Sequence, residues 1–334
     1  RANGTLWAWG QNTSGQLGDG TTVRKSLPVQ IGSDTWSIIT SSLSTLGIQT
    51  DGTLWAWGNN NSGQLGDGTT VDKLTPTQIG TDNKWVAVSA GYLHSLALKA
   101  DGTLWAWGNN TYGSLGDGTT VAKITPTQIG SDNKWVSIET GRTHSLALKS
   151  DGTLWAWGQN SSGQLGDGTL VNKNSPTQIG TDNKWTSIAG GDNFSFGIKA
   201  DGSLWAWGEN VVGALGDGTL NSRSVPTQIG ASSKWVSVSA GFQNSFALKS
   251  DGTLWAWGAN QYGQLGNGDT TDQSTPVDVL DEQNGALIAL AFGSVASAQL
   301  GALVNRMTTS DKAPAWTFGT SHLMRNLAKR GLLS

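Results

Sequence analysis

DGTLWAWG, residues 51–58, is the stretch that decides the fold, because the chain repeats it at a fixed spacing. The same phrase, with one letter changed in two of the copies, begins at Asn3, Asp101, Asp151, Asp201 and Asp251. The spacing is 50 residues after a first interval of 48 residues. Such a period indicates an array of equivalent supersecondary units, each too small to bury its apolar face alone.

Each unit contains four short strand patterns and no helical period. In the unit that begins at Asp51, the strand patterns cover residues 54–57, 77–79, 84–89 and 95–99. Turn-forming Gly, Asn and Asp residues separate them, and Pro76 opens the second strand, which suits an outer edge. Four short antiparallel strands in a repeat of this length are typical of a β-propeller blade. A β-solenoid is the alternative, although its coils are usually shorter.

The combined pattern resembles the repeat of the regulator of chromosome condensation family. It reads WGxNxxGQLGDGT, then a proline, then WVxVSAGxxHSLALxxDGTLWAWG, and it covers residues 1–300. The resemblance implies a closed propeller, usually of seven blades. It implies function only weakly, because the family includes a guanine-nucleotide exchange factor, a bacterial β-lactamase inhibitor and many secreted bacterial or phage proteins.

The number of blades depends on how the two ends of the repeat array meet. We expect an all-β propeller of six four-stranded blades over residues 1–304, in which residues 5–10 lie beside residues 296–300 and remove an exposed edge. Seven blades are the alternative, with residues 316–319 completing the last blade instead. Residues 305–334 break the repeat and are expected to form a short C-terminal tail.

The tail has the opposite charge to the rest of the chain. It carries one acid, Asp311, against the bases Arg306, Lys312, Arg325, Lys329 and Arg330. Apolar side chains alternate with these bases near the end of the chain. The attachment of the tail to an assembly partner is therefore predicted to use Arg325, Leu327, Lys329 and Arg330, and docking on the chain's own acidic propeller is the alternative.

Composition excludes several classes of function. The formal net charge of −3 argues against a general nucleic-acid interface, which needs a basic face. The absence of cysteine excludes thiolate catalysis and thiolate metal sites. Residues 285–304 carry no charge and could be taken for a membrane span, but they align with the strands at residues 84–98. We therefore expect strands there and no membrane span.

The residues that could carry chemistry recur as parts of the repeat. His94 and His144 share a position with Phe194 and Asn244, so this position is interpreted as a structural slot. The GDGT loops suggest calcium only loosely, and turns in which Asp and Asn bond the local backbone are favoured. The WAWG tryptophans are expected in the core rather than on a carbohydrate platform. We predict no catalytic residue, no metal, no cofactor and no enzymatic activity.

Binding residues are sought where the repeat varies, because variation against a constant background marks positions that the scaffold does not dictate. The variable positions that follow one turn, and should line one rim, are Tyr92, Leu93, Arg142, Thr143, Asp192, Asn193, Phe242 and Gln243. Neutral drift on exposed loops is the alternative explanation.

The sequence therefore predicts a non-enzymatic binding or structural propeller that acts through these variable loops and its C-terminal tail. It is expected on a virion, as a fibre, tail or capsid decoration, or outside a bacterial cell. Its partner would be a protein or a surface receptor, and the tail would contact a viral or cell-envelope assembly partner. The alternatives are a secreted inhibitor of an extracellular enzyme and a regulator that resembles a guanine-nucleotide exchange factor.

Overall fold

The computed structural model describes residues 4–279, and every regular element within them is a β-strand. The first sheet contains, in spatial order, β1 (Thr5–Gly10), β2 (Lys25–Ser41), β3 (Ser44–Gln49), β4 (Leu54–Gly58) and β5 (Lys73–Gln78). The second contains β6 (Trp85–Ala90), β7 (His94–Lys99), β8 (Leu104–Gly108) and β9 (Lys123–Gln128).

Three further sheets repeat this plan. The third contains β10 (Trp135–Thr140), β11 (His144–Lys149), β12 (Leu154–Gly158) and β13 (Lys173–Gln178). The fourth contains β14 (Trp185–Gly190), β15 (Phe194–Lys199), β16 (Leu204–Gly208) and β17 (Arg223–Gln228). The fifth contains β18 (Trp235–Ala240), β19 (Asn244–Lys249), β20 (Leu254–Gly258) and β21 (Gln273–Asp278). All neighbouring strands are antiparallel, so each of the second to fifth sheets is a four-stranded meander of the propeller-blade type.

The predicted count of six blades is wrong, and so is the alternative of seven, because residues 4–279 form five four-stranded blades. The first WAWG copy forms β1, which joins the first sheet as a fifth strand. Its pairing, Trp7 with Gln30 and Gly10 with Lys25, has the same register as the β4–β5 pair. The physical reason lies in β2, which pairs with β1 through its first half and with β3 through its second half.

β2 can run through both pairings because its central connection is short. Gln30 and Trp36 are six positions apart, whereas the equivalent Gln78 and Trp85 are seven apart and have a loop between them. The chain therefore continues as one strand instead of turning into a separate blade. The partners predicted for β1, residues 296–300 or residues 316–319, lie outside the described residues, as does the predicted tail.

The described strands belong to two compact units, the first with the first three sheets and the second with the last two. Loop 160–170 is part of the second unit. In the first unit, one apolar cluster joins the first and second sheets and another joins the second and third. In the second unit, a cluster joins the fourth and fifth sheets. Burial of apolar area between neighbouring sheets therefore supplies most of the stabilisation within each unit.

The third strand of each of the second to fifth sheets carries two tryptophans with different roles. Trp107 and Trp157 are fully buried, and each indole N–H donates to a backbone carbonyl in the loop of the preceding sheet, Gln64 and Ser114, at 2.9 Å. Trp105, two residues before Trp107, is half-buried. Trp107 and Trp157 thus lie in the core, as the repeat pattern predicts, and tie neighbouring blades together, whereas the preceding tryptophan is only half-buried.

The DG turn between the second and third strands shows why glycine recurs there. Gly102 has a φ of 82°, in the left-handed region, and a Cβ atom at this position would lie 2.0 Å from the Asn133 carbonyl oxygen. Both the backbone conformation and the close approach exclude a side chain. Within residues 4–279 there is no helix long and apolar enough to cross a membrane.

The loop between the third and fourth strands is organised around one buried asparagine. In the second sheet this is Asn110, whose Oδ1 accepts from the Leu115 N–H at 2.9 Å and whose Nδ2 donates to Asp117 Oδ1 at 3.0 Å. Asp117 Oδ1 also accepts the Thr119 N–H, and Lys123 lies 3.5 Å from its other oxygen. The carboxylate therefore orders the local backbone, which fits the expected Asx-type turn.

We expect Asn110→Ala to lower the free energy of unfolding by about 2–4 kcal/mol, because a buried N–H and a carboxylate lose their partner. Chemical denaturation of the purified protein measures this. Thr111→Ala, at the next and exposed position, is the matched control and should change the free energy by less than about 0.5 kcal/mol. Equal costs at the two positions would show that the asparagine does not organise the loop.

Candidate functional site

The variable loops, residues 91–93, 141–143, 191–193 and 241–243, connect the first and second strands of the last four sheets. Their backbone is fixed by two hydrogen bonds in each case. In the second sheet the Gly91 N–H donates to the His94 carbonyl, and the Asn109 N–H donates to the Leu93 carbonyl, both at 2.8 Å. A Cβ atom on Gly91 would lie 2.7 Å from the His94 ring. The backbone frame is thus constant, whereas the identity of the two residues that follow the glycine varies from blade to blade.

The first unit brings two of the predicted residues together. Tyr92 and Arg142 are both exposed, and the Arg142 guanidinium carbon lies 4.9 Å from the centre of the Tyr92 ring, a cation–π contact. Leu93 and Thr143 are half-buried beside them, and the Thr143 hydroxyl donates to Gln159 Oε1. Tyr92 and Arg142 therefore form one exposed aromatic and cationic patch.

The second unit places its four predicted residues differently. Phe242 is 61% exposed, whereas Asp192 is 8% exposed and does not lie at the surface. Asn193 is half-buried and its amide donates to Glu209 Oε2 at 3.2 Å. Gln243 is half-buried, and its carbonyl accepts the Ala259 N–H at 2.9 Å. Of these four residues, Phe242 alone presents a large exposed side chain.

The histidine slot lies inside the core of the first unit. His94 and His144 are both buried. The Ser145 hydroxyl donates to the Ser114 carbonyl at 2.7 Å, so it accepts from His94 Nε2, which is 3.0 Å away. Burial lowers the pKa of His94 to about 4 and, together with the charge of His94, the pKa of His144 to about 3. Both rings are neutral at pH 7, and this His–Ser contact packs neighbouring sheets together.

The opposite end of the second strand carries an arrangement that was not predicted from the sequence. A lysine ammonium there lies against two tryptophan rings, and this group of three side chains is referred to below as the cage. The Lys99 ammonium lies 3.7 Å from the centre of the Trp105 ring and 4.8 Å from that of Trp85, and it pairs with Asp82 at 2.8 Å. Lys149 and Lys199 are held in the same way. The constant spacing of Lys and Trp in the repeat is the signal that could have identified the cage.

The tail residues predicted to attach a partner, Arg325, Leu327, Lys329 and Arg330, lie outside the described residues. Within residues 4–279 no cluster of three or more His, Asp or Glu side chains is arranged to hold a metal ion. The arrangement that remains is a set of exposed loop side chains on a rigid frame, which is suited to binding another macromolecule.

Comparison with known families gives a match across almost the whole repeat array. The RCC1-like domain matches residues 1–243, and the regulator of chromosome condensation (RCC1) repeat matches residues 235–264 and residues 251–300. The sequence matches no curated protein.

Solved structures share the fold. Prp20p from Saccharomyces cerevisiae, described with its binding properties to Gsp1p and histones, is 25% identical with a TM-score of 0.75, over 85% of this chain and 74% of that one. Yeast RCC1 (Prp20) bound to Kap60 is 24% identical with a TM-score of 0.74, over 85% and 72% of the two chains. Human WBSCR16 is 23% identical with a TM-score of 0.72, over 82% and 78%.

These likenesses correct the predicted location. The expectation of an extracellular or virion-surface protein is wrong, because the similar solved structures are yeast RCC1 (Prp20) and human WBSCR16 rather than virion proteins. The interpretation of the repeat as that of the regulator of chromosome condensation family is confirmed.

Proposed function

The chain belongs to the RCC1-like family, and from that membership we propose that it is a non-enzymatic regulator that binds a protein partner. The observation that carries the proposal is the contrast between the repeated interior and the variable loops. The repeated His, Ser, Asp and Trp side chains form the contacts that order the loops and join neighbouring blades. Tyr92 and Arg142, in contrast, are exposed on a fixed backbone.

The chemistry of Tyr92 and Arg142 suits a protein interface. Tyr and Arg are enriched among the residues that carry most of the binding energy in such interfaces. The cation–π contact restrains the long Arg142 side chain before a partner arrives, so less conformational entropy is lost on binding. An acidic or polar surface on the partner would complement the guanidinium, while the tyrosine ring would be covered by apolar atoms.

The partner class is proposed from the family. Prp20p is described with binding to Gsp1p and histones, and the family includes a guanine-nucleotide exchange factor. We propose that this chain acts on a guanine-nucleotide-binding protein in the same general manner. The connections between its described blades have nearly uniform lengths, so the partner would be recognised by the short variable loops rather than by a long insertion.

We expect the double variant Tyr92→Ser/Arg142→Ser to bind Gsp1p at least about tenfold more weakly than the wild-type protein, because the two exposed anchors are removed. Isothermal titration calorimetry measures the affinity. The melting temperature should stay nearly unchanged, since both side chains are at the surface.

Lys134→Ser is the matched control, because it also removes one exposed positive charge but lies in the loop at the other end of the strands. It should leave the affinity for Gsp1p unchanged. Equal weakening by the control and the double variant would indicate a general charge effect. Unchanged binding by the double variant would show that Tyr92 and Arg142 in the variable loops of the first unit do not contribute to binding.

A further inference from the structure

In each of the second, third and fourth sheets, the lysine of the cage is paired with an aspartate carboxylate. Lys99, Lys149 and Lys199 contact the Asp of the preceding loop at 2.8, 2.7 and 2.7 Å. The other oxygen of each carboxylate accepts a backbone N–H two residues later, at 2.9 Å in all three cases. The ion pair with lysine holds the pKa of each of these aspartates below its usual value. In each of the three sheets, therefore, a lysine ammonium and a backbone N–H hold an aspartate carboxylate in the same geometry.

The fifth sheet has the cage without the carboxylate. The Lys249 ammonium lies 3.4 Å from the centre of the Trp255 ring and 4.7 Å from that of Trp235, as in the other cages. The position of the aspartate is taken by Ser232. Within residues 4–279 no carboxylate lies within 4.0 Å of the Lys249 ammonium, and the Ser232 side chain does not accept the Lys234 N–H.

The surrounding charges do not replace the missing partner. Burial is the largest influence on Lys249 and lowers its pKa, and the positive charge of Lys234 lowers it further. Asp251 and Asp278 act from a greater distance and raise it, but the pKa stays below its ordinary value. The ammonium is thus partly removed from water and held in place by two rings, without the close anion that its equivalents have.

We propose that the Lys249 ammonium and the Lys234 N–H bind a carboxylate from an acidic side chain of a partner polypeptide, in the position that Asp82, Asp132 and Asp182 occupy in their own blades. A peptide carboxylate fits because the three complete sites all accept an aspartate carried on a loop. The two donors are already oriented, and a charge-assisted pair of this kind is stronger than a neutral hydrogen bond. The aromatic walls keep the ammonium from reorienting.

This site is separate from the variable loops. β19 carries Asn244 at the end beside the variable loop and Lys249 at the other end. A partner held at Lys249 would therefore contact the opposite end of the strand from Phe242. The inference goes beyond the proposed function, because it does not depend on what binds to Tyr92 and Arg142.

The test uses the 334-residue chain with an acetylated, amidated peptide Ser-Asp-Asn-Lys, the sequence of the loop at residues 131–134. Lysine side-chain signals are followed by NMR during titration. We expect saturable shifts at Lys249 and none at Lys99, Lys149 or Lys199. The peptide with Asn in place of Asp should bind at least about tenfold more weakly, since it has no charge to pair.

Two variants supply reciprocal controls. Ser232→Asp should fill the site from within and abolish the response of Lys249. Asp182→Ser should empty the site of the fourth sheet and make Lys199 respond to the peptide. Tyr92→Ser/Arg142→Ser should respond like the wild-type protein, which separates this site from the proposed function.

An unresponsive Lys249 in the wild-type protein, or a response that persists in Ser232→Asp, would overturn the proposal. The melting temperature of each variant confirms that it is folded before titration.

Discussion

Lowering the pH from 7 to 5 is expected to reduce the free energy of unfolding by about 4 kcal/mol, through His94 and His144 together. Both rings are buried, and burial depresses their pKa values to about 4 and about 3, below the value of 6.5 that is ordinary for histidine. The unfolded chain therefore takes up protons below pH 6.5, while the folded chain does not until pH 4 or lower. Stability is fully present above pH 6.5 and is lost as the pH falls toward 4.

Urea denaturation at pH 7, 6 and 5 measures this dependence. The double variant His94→Asn/His144→Asn is the control, because the fifth sheet already carries Asn244 in the same slot. Its free energy of unfolding should change little over this pH range. Two results would contradict the claim that both histidines are buried in the neutral form. One is a wild-type protein that is equally stable at pH 7 and pH 5, and the other is a double variant whose free energy of unfolding depends on pH as strongly as that of the wild-type protein.

Trp157→Ala is expected to lower the free energy of unfolding by about 3–5 kcal/mol, because it empties a fully buried indole volume. The substitution also removes the donor to the Ser114 carbonyl, the contact that ties the third sheet to the preceding loop. The ring packs edge-to-face on Trp135 at 6.3 Å, and that contact is lost as well. Thermal and urea denaturation measure the loss.

Trp155→Ala supplies the comparison within the same strand. Trp155 is half-buried, and its indole N–H donates to the neighbouring Thr153 hydroxyl rather than to another blade. Its removal should cost clearly less than that of Trp157. An equal or larger cost at Trp155 would show that contacts within a blade matter at least as much for stability as contacts between neighbouring blades.

Three of the four strands of each unit follow from the sequence within one residue, because alternation in LWAWG and the glycine turns are local signals that recur in every repeat. The remaining strand was misplaced: it was predicted at residues 77–79 after Pro76, but β5 covers Lys73–Gln78 and contains Pro76. The blade count depends on a non-local event, the pairing of β1 with the first half of β2. The segment between Gln30 and Trp36 is one residue shorter than its equivalents, and this difference decides the pairing of β1. Sequence periodicity does not predict the effect of so small a change.

The candidate site could be predicted in part. Of the residues that variation within the array marked, Tyr92, Arg142 and Phe242 are exposed, whereas Asp192, which was given the same weight, is buried. The Lys249 cage was missed because its parts come from three different strands and a loop. Only the structure shows that these segments meet, although the change from Asp to Ser at position 232 is visible in the repeat.

Hydrogen–deuterium exchange of the wild-type protein, with and without Gsp1p, tests most directly the claim that the variable loops bind a protein partner. Added protection is expected at residues 91–93 and 141–143, and none at the turns of residues 100–103 and 150–153 at the other end of the strands. Protection confined to those turns, or no protection at any loop of the first unit, would contradict it.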